Sequence, residues 1–114
     1  MPECLSVGHL LETVGEDAEF FGELLELFQQ EFVKNRGLLL ESCKKKDTKN
    51  AELHAHSIKS SAANVGAVAV QRRGKLLQEA AAAGNFEQIL TLLPGVEEAY
   101  EEAVLELGKW IKPL

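Results

Sequence analysis

Apolar residues recur along this chain at steps of three, four and seven and never alternate over a strand-length run, so the pattern predicts helices throughout. Residues 7–14 are expected to form a short amphipathic turn or two with Leu10, Leu11 and Val14 apolar, ended by Gly15. Asp17 can cap a long helix, because its carboxylate accepts from the orphan N–H groups of the first turn. Along that helix Phe20, Phe21, Leu24, Leu25, Phe28, Phe32, Leu39 and Cys43 make one buried stripe. Gly37 interrupts it at a cost of about 1 kcal/mol relative to Ala. Lys44, Lys45 and Lys46 suit the helix C-terminus, where the dipole favours cations. Asp47 or Thr48 caps the next helix, whose apolar positions are Ala51, Ala55, Ile58, Ala62 and Val65, and Gly66 ends it in the left-handed conformation. A third helix is expected at about 67–83, with Val70, Leu77 and Ala81 inward and Gly84 as its stop. Asn85 caps the last helix, with Ile89, Leu93, Val96, Ala103, Leu107 and Trp110 as its stripe and Tyr100 between them. Pro94 is expected to kink or break it near residues 90–94, since proline lacks the N–H and clashes with the previous turn. Short connections make neighbouring helices antiparallel. The expected fold is all-α: an antiparallel up-and-down four-helix bundle with a short additional N-terminal helix.

Composition narrows the class of function. At 114 residues and 46% hydrophobic, the chain reads as one folded domain over 1–114 and not as a disordered segment. Its 12 Lys and Arg face 18 Asp and Glu, and a net charge of −6 argues against nucleic acid, whose phosphates need a positive patch. No apolar run approaches the roughly 20 residues that span a bilayer, and Met1-Pro2-Glu3-Cys4 does not open a signal peptide. Cys4 and Cys43 form no Cys-x-x-Cys pair, so a reduced, cytoplasmic setting is the simplest expectation.

The chemistry is concentrated in Ala55-His56-Ser57-Ile58-Lys59-Ser60-Ser61-Ala62-Ala63-Asn64-Val65-Gly66. His56 lies at the edge of the apolar stripe, with Lys59 at i+3, Ser60 at i+4 and Ala63 a turn further on. One cation and small residues flank the imidazole, leaving room for another protein to approach it. Taken alone, such a histidine is equally a surface residue with no role. His54 and His56 point about 200° apart on a helix and cannot share a metal. There is no Glu-x-x-His, no Gly-rich phosphate loop and no nucleophile elbow, so no metal site and no enzyme active site is expected. In an antiparallel hairpin turning at Gly66-Ala67, facing residues have index totals of about 134, which sets Gln78 level with His56. A Gln there can hydrogen-bond one ring nitrogen and leave the other outward; the rival reading is a polar edge residue.

The run His-x-Ile-Lys-Ser-Ser-x-x-x-x-Gly, from His56 to Gly66, resembles the signature of histidine-containing phosphotransfer (HPt) domains. The Phe-rich helix before it, the Asp47 start, the Ala-rich helix ending at Gly84-Asn85 and the long final helix are similar to that family in the same order. One departure is Ser60, where the family usually has Gly. Its hydroxyl has two candidate roles, bonding back to the carbonyl of His56 or donating to a phosphoryl group.

The resemblance implies a phosphorelay intermediate. His56 would accept a phosphoryl group from a receiver's aspartyl phosphate and pass it to another receiver. Nε2 would be the attacking atom, Lys59 would offset charge on the phosphoryl oxygens, and Gln78 would hydrogen-bond Nδ1. Ser60 and Ala63 would meet the partner, and Gly66 would terminate the helix. The partners would be receiver domains, such as those of a hybrid histidine kinase, meeting the chain as a monomer, with no membrane involved. No cofactor is expected, since the magnesium ion would belong to the receiver. Two alternatives are the phosphoryl-accepting domain of a chemotaxis-type histidine kinase, where Glu is typical at the position of Gln78, and a helical adaptor that is never phosphorylated.

Overall fold

The computed structural model describes the backbone of residues 18–111 and the side chains of 20–109. The expected short helix at 7–14 and the Asp17 cap lie outside these residues, as does the Trp110 side chain. Four helices follow in order: α1 (Ala18–Lys45), α2 (Thr48–Asn64), α3 (Val68–Ala82) and α4 (Phe86–Ile111), with no strand among the described residues. Each helix packs on the next, and α1 closes the ring against α4, so the assembly is a four-helix bundle. The pairs Thr48/Gly84, Lys59/Gly74 and His56/Gln78 stand near one another, and their numbers have a nearly constant total. That is the mark of an antiparallel hairpin.

The three connections are built alike. In each, one residue takes a left-handed φ: Lys46 at 54°, Gly66 at 71° and Gly84 at 69°. The next N–H then reaches five residues back, Asp47 to Ser42 O, Ala67 to Ala62 O and Asn85 to Ala80 O, all at 2.9 Å. These bonds satisfy carbonyls that a helix end would otherwise orphan. Asp47 also opens α2: its Oδ1 accepts from the Asn50 N–H at 3.1 Å, and Asn85 Oδ1 does the same for Gln88 at the start of α4. The bond from the Asn50 N–H, then that from its side chain, holds the Asp47 carboxyl below its ordinary range.

The expected stripes are largely the core. Ala51, Ala55, Ile58, Ala62 and Val65 are buried on α2, as are Val70, Leu77 and Ala81 on α3. On α4, Ala99 joins Ile89, Leu93, Val96, Ala103 and Leu107. In α1 the expected stripe is too wide. Phe21 is buried while adjacent Phe20 remains 44% exposed, because neighbours on a helix point about 100° apart. Two polar residues, Asn35 and Ser42, fill core positions of α1. Each is satisfied by its own helix, Asn35 Nδ2 donating to Glu31 O at 2.8 Å and Ser42 Oγ to Leu38 O at 2.9 Å. Tyr100 locks α4 to α1, stacked on Phe32 with centroids 3.8 Å apart and tilted against Phe28 at 5.4 Å. Arg36 and Glu97 pair across the same two helices.

Pro94 does not break α4, which runs unbroken from Phe86 to Ile111. Pro94 and Leu90 both lie on the exposed side, where water can take the carbonyl that the missing N–H leaves free. Gly37 likewise sits inside a continuous α1, on an exposed position with open space around it.

Candidate functional site

Alanines at three of the inward positions of α2 let that helix lie close to its neighbours, and Gly74 on α3 brings the two nearest at Lys59. A Cβ placed on Gly74 would stand 3.2 Å from Lys59 Cα. The sequence signal was available: Gly74 occupies the α3 stripe between Val70 and Leu77, and a glycine among core positions marks close backbone approach. The hairpin α2–α3 is therefore a rigid pair of rods, and His56 stands on its outer surface. The residue is exposed, held by a helix whose opposite face is fully buried.

Lys59, Ser60 and Ala63 follow on the same face, each half-buried. Among the described residues no carboxylate lies within ion-pair distance of Lys59, so its ammonium is available to an arriving anion. On the other side of His56 a shallow depression of about 320 Å³ is lined by Lys49, Asn50, Glu52, Leu53, His56 and Gln78. Gln78 and His56 thus share one wall-to-wall feature, as the hairpin construction expects. The expected hydrogen bond between them is absent from the structure. The ring instead meets its own helix: Ser60 Oγ lies 3.3 Å from His56 Nε2. Ser60 has the advantage of proximity, since an i+4 side chain lies in reach along a helix, whereas Gln78 must reach from the neighbouring helix. Neither candidate role for Ser60, at the His56 carbonyl or at a phosphoryl group, anticipated a bond to the ring.

Leu53, 55% exposed at three residues before His56, is a site feature that the sequence reading passed over. An apolar residue outside the stripe and one turn from the histidine was its signal. It gives an approaching protein an apolar contact beside the imidazole.

Charge is divided unevenly over this acidic chain. The hairpin α2–α3 carries Lys49, Lys59, Arg72, Arg73 and Lys75 against only Glu52 and Glu79, while α4 carries Glu87, Glu97, Glu98, Glu101, Glu102 and Glu106 against Lys109. The histidine therefore stands on the less acidic of these elements, with Lys49 and Lys59 on its own helix, while Arg73 turns away to donate to Gly95 O of α4 at 2.6 Å. Cys43 is buried, and burial pushes its thiol pKa up, which disfavours the thiolate form. Among the described residues no group of His, Cys, Asp and Glu could hold a metal ion. No described helix is long and apolar enough to cross a membrane.

Around His56 the structure thus gathers an exposed imidazole, small neighbours and a lysine one turn away with no carboxylate in ion-pair reach among the described residues. No curated protein and no solved structure matches this chain. The sequence profile of the Hpt domain matches residues 23–106, which takes in all of α2 and α3 and most of α1 and α4. The match spans most of the sequence and encloses His56, Lys59 and Gln78, so the chain belongs to the Hpt domain family, the histidine phosphotransfer carriers of phosphorelays that work with receiver domains.

Proposed function

We propose that this chain is a relay intermediate whose phosphoryl site is His56, charged by the aspartyl phosphate of one receiver and discharged to another. The observation that carries the reading is the placement of His56. It is exposed on the α2–α3 hairpin, and no described carboxylate lies within ion-pair distance of Lys59 one turn away. In the transfer, the Nε2 lone pair forms a bond to phosphorus as the bond from phosphorus to the aspartyl oxygen breaks. Charge spreads over the three equatorial oxygens, and Lys59 is placed to offset it. Gln78 lines the same depression as His56, where it would face the ring's surroundings during transfer. The receiver brings its own acidic pocket and magnesium ion. Leu53, Ser60 and Ala63 form the contact surface, small enough for an encounter at the transient end of interface sizes.

The chain acts as a carrier, returning to its starting state with each round. The test is transfer from a phosphorylated receiver to wild type and to His56→Gln. Wild type should gain label that is lost in acid and kept in base, the signature of a phosphoramidate. Full labelling of His56→Gln, or an acid-stable label on wild type, would sink the assignment. Labelling of wild type also separates this reading from an adaptor that binds its partner without being phosphorylated.

A further inference from the structure

Serine and threonine hydroxyls past the first turn of the described helices behave alike with one exception. Ser42 donates to Leu38 O at 2.9 Å, Ser57 to Leu53 O at 3.1 Å and Thr91 to Glu87 O at 3.0 Å, each one turn back. Ser61 donates to Ile58 O at 3.3 Å. This is the ordinary habit of a helical serine or threonine. Ser60 has the same option at the carbonyl of His56 and does not take it: its Oγ turns to the ring and lies 3.3 Å from Nε2.

A neutral imidazole presents Nε2 either as an N–H or as a lone pair, and the partner at that nitrogen, or at the other, decides which. We propose that Ser60 is a positioning residue that donates its O–H to the Nε2 lone pair and so holds neutral His56 in the tautomer protonated at Nδ1. The proposal rests on the reading of His56 as phosphoryl acceptor and supplies what that reading lacks, a group that prepares the attacking nitrogen. Only a ring with an unprotonated Nε2 can attack phosphorus; the other tautomer must first lose that proton. The Nδ1 proton is left to water, which an exposed ring can reach.

The same hydroxyl has a second position in the cycle. As the Nε2–P bond forms, the bond from Ser60 to the lone pair is lost and the O–H turns to a phosphoryl oxygen. The Nδ1 proton then leaves to water and the ring returns to neutrality. Ser60 stands beside Nε2 and not opposite it across phosphorus, so it is not in line and does not take the phosphoryl group itself.

The test is nitrogen NMR on the full chain carrying 15N-histidine, with His54→Gln and His9→Gln used for assignment, at a pH where the rings are neutral. Wild type should show His56 with an unprotonated Nε2 and a protonated Nδ1. Ser60→Ala should move the balance towards protonated Nε2, and Ser60→Thr should restore the wild-type pattern. Incubation with phosphoramidate, which transfers its phosphoryl group to Nε2 with release of ammonia, should label Ser60→Ala several-fold more slowly than wild type and Ser60→Thr at close to the wild-type rate. A wild-type ring protonated mainly at Nε2 would overturn the proposal. So would a Ser60→Ala ring identical to wild type, or Ser60→Ala labelled as fast or faster. The tautomer is read on unphosphorylated protein, so it is decided even if receivers fail to label His56, a result that would fall on the functional reading alone.

Discussion

Gly74 meets Lys59 backbone to backbone: a Cβ at position 74 would stand 3.2 Å from Lys59 Cα and 3.3 Å from its Cβ and N. These are atoms of a helix, and they cannot swing aside as a side-chain tip can. Gly74→Val is expected to force α2 and α3 apart and destabilise the protein by about 1–3 kcal/mol, the usual range for overpacking. Gly74→Ala combines a smaller clash with a helix-propensity gain of about 1 kcal/mol, so its net effect should lie within about 1 kcal/mol of zero. Urea titration of the two variants checks both. Equal stability of Gly74→Val and wild type would show that the hairpin is looser than described.

Lys46 holds a left-handed φ of 54° where the other two turns use glycine. For a residue with a Cβ that conformation costs about 1–2 kcal/mol, part of which glycine gives back as backbone entropy. Lys46→Gly should therefore stabilise the protein by up to about 1 kcal/mol. A fall in the unfolding midpoint would mean that the lysine's interaction with the end of α1 outweighs the strain.

The Asp47 carboxyl is held below its ordinary range first by the Asn50 N–H and then by the Asn50 side chain, with Lys45 and His54 assisting and desolvation opposing. A depressed folded-state pKa means that its stabilisation is complete above the unfolded value, about 4. It is lost as pH falls through the lower, folded value. Asp47→Asn keeps an N-cap acceptor but has no charge to lose. The advantage of wild type over Asp47→Asn in thermal midpoint should shrink as pH falls below about 4. A gap that held steady down to about pH 2 would show that the Asn50 bonds do not favour the ionised carboxyl.

Ala63 lies two turns beyond His56 on the same face and is half-buried. Ala63→Trp should leave phosphoramidate labelling of His56 near the wild-type rate, since a small donor needs no docking surface. Transfer from a phosphorylated receiver should fall at least tenfold. Equal loss with both donors would indicate damage to the site itself, and equal retention would move the contact surface elsewhere.

Much of this was legible because it depends on periodicity. The α2 stripe from Ala51 to Val65 and the turns at Gly66 and Gly84 follow from the 3.6-residue repeat and from the only residue that adopts positive φ without strain. Lys46 was read as a cation suited to a helix end, since nothing in a lysine announces a left-handed backbone. Asn35 looks like an interruption of the α1 stripe, yet its side chain bonds to its own helix and so can be buried. Pro94 was over-read: a proline stops a helix only where the freed carbonyl has no other partner. At the site, His56, Lys59 and Gln78 were placed on one surface by helical geometry alone. The turn of the Ser60 hydroxyl towards the ring was not, because one rotamer decides it and either acceptor lies within reach.

The three connections, each two or three residues long and each closed by a bond five residues back, also bear on how the chain reaches this structure. Apart from the α1–α4 seam, the extensive helix pairs are consecutive in sequence. Such a chain has low contact order, and chains of that kind fold in microseconds to milliseconds. The α2–α3 hairpin, with the shortest helices and a glycine at its tightest contact, can form before the ends of the chain meet. The late event is the seam where Tyr100 stacks on Phe32. On that ordering, mutations at the seam should mainly accelerate unfolding, while mutations at the hairpin that bears His56 should mainly slow folding.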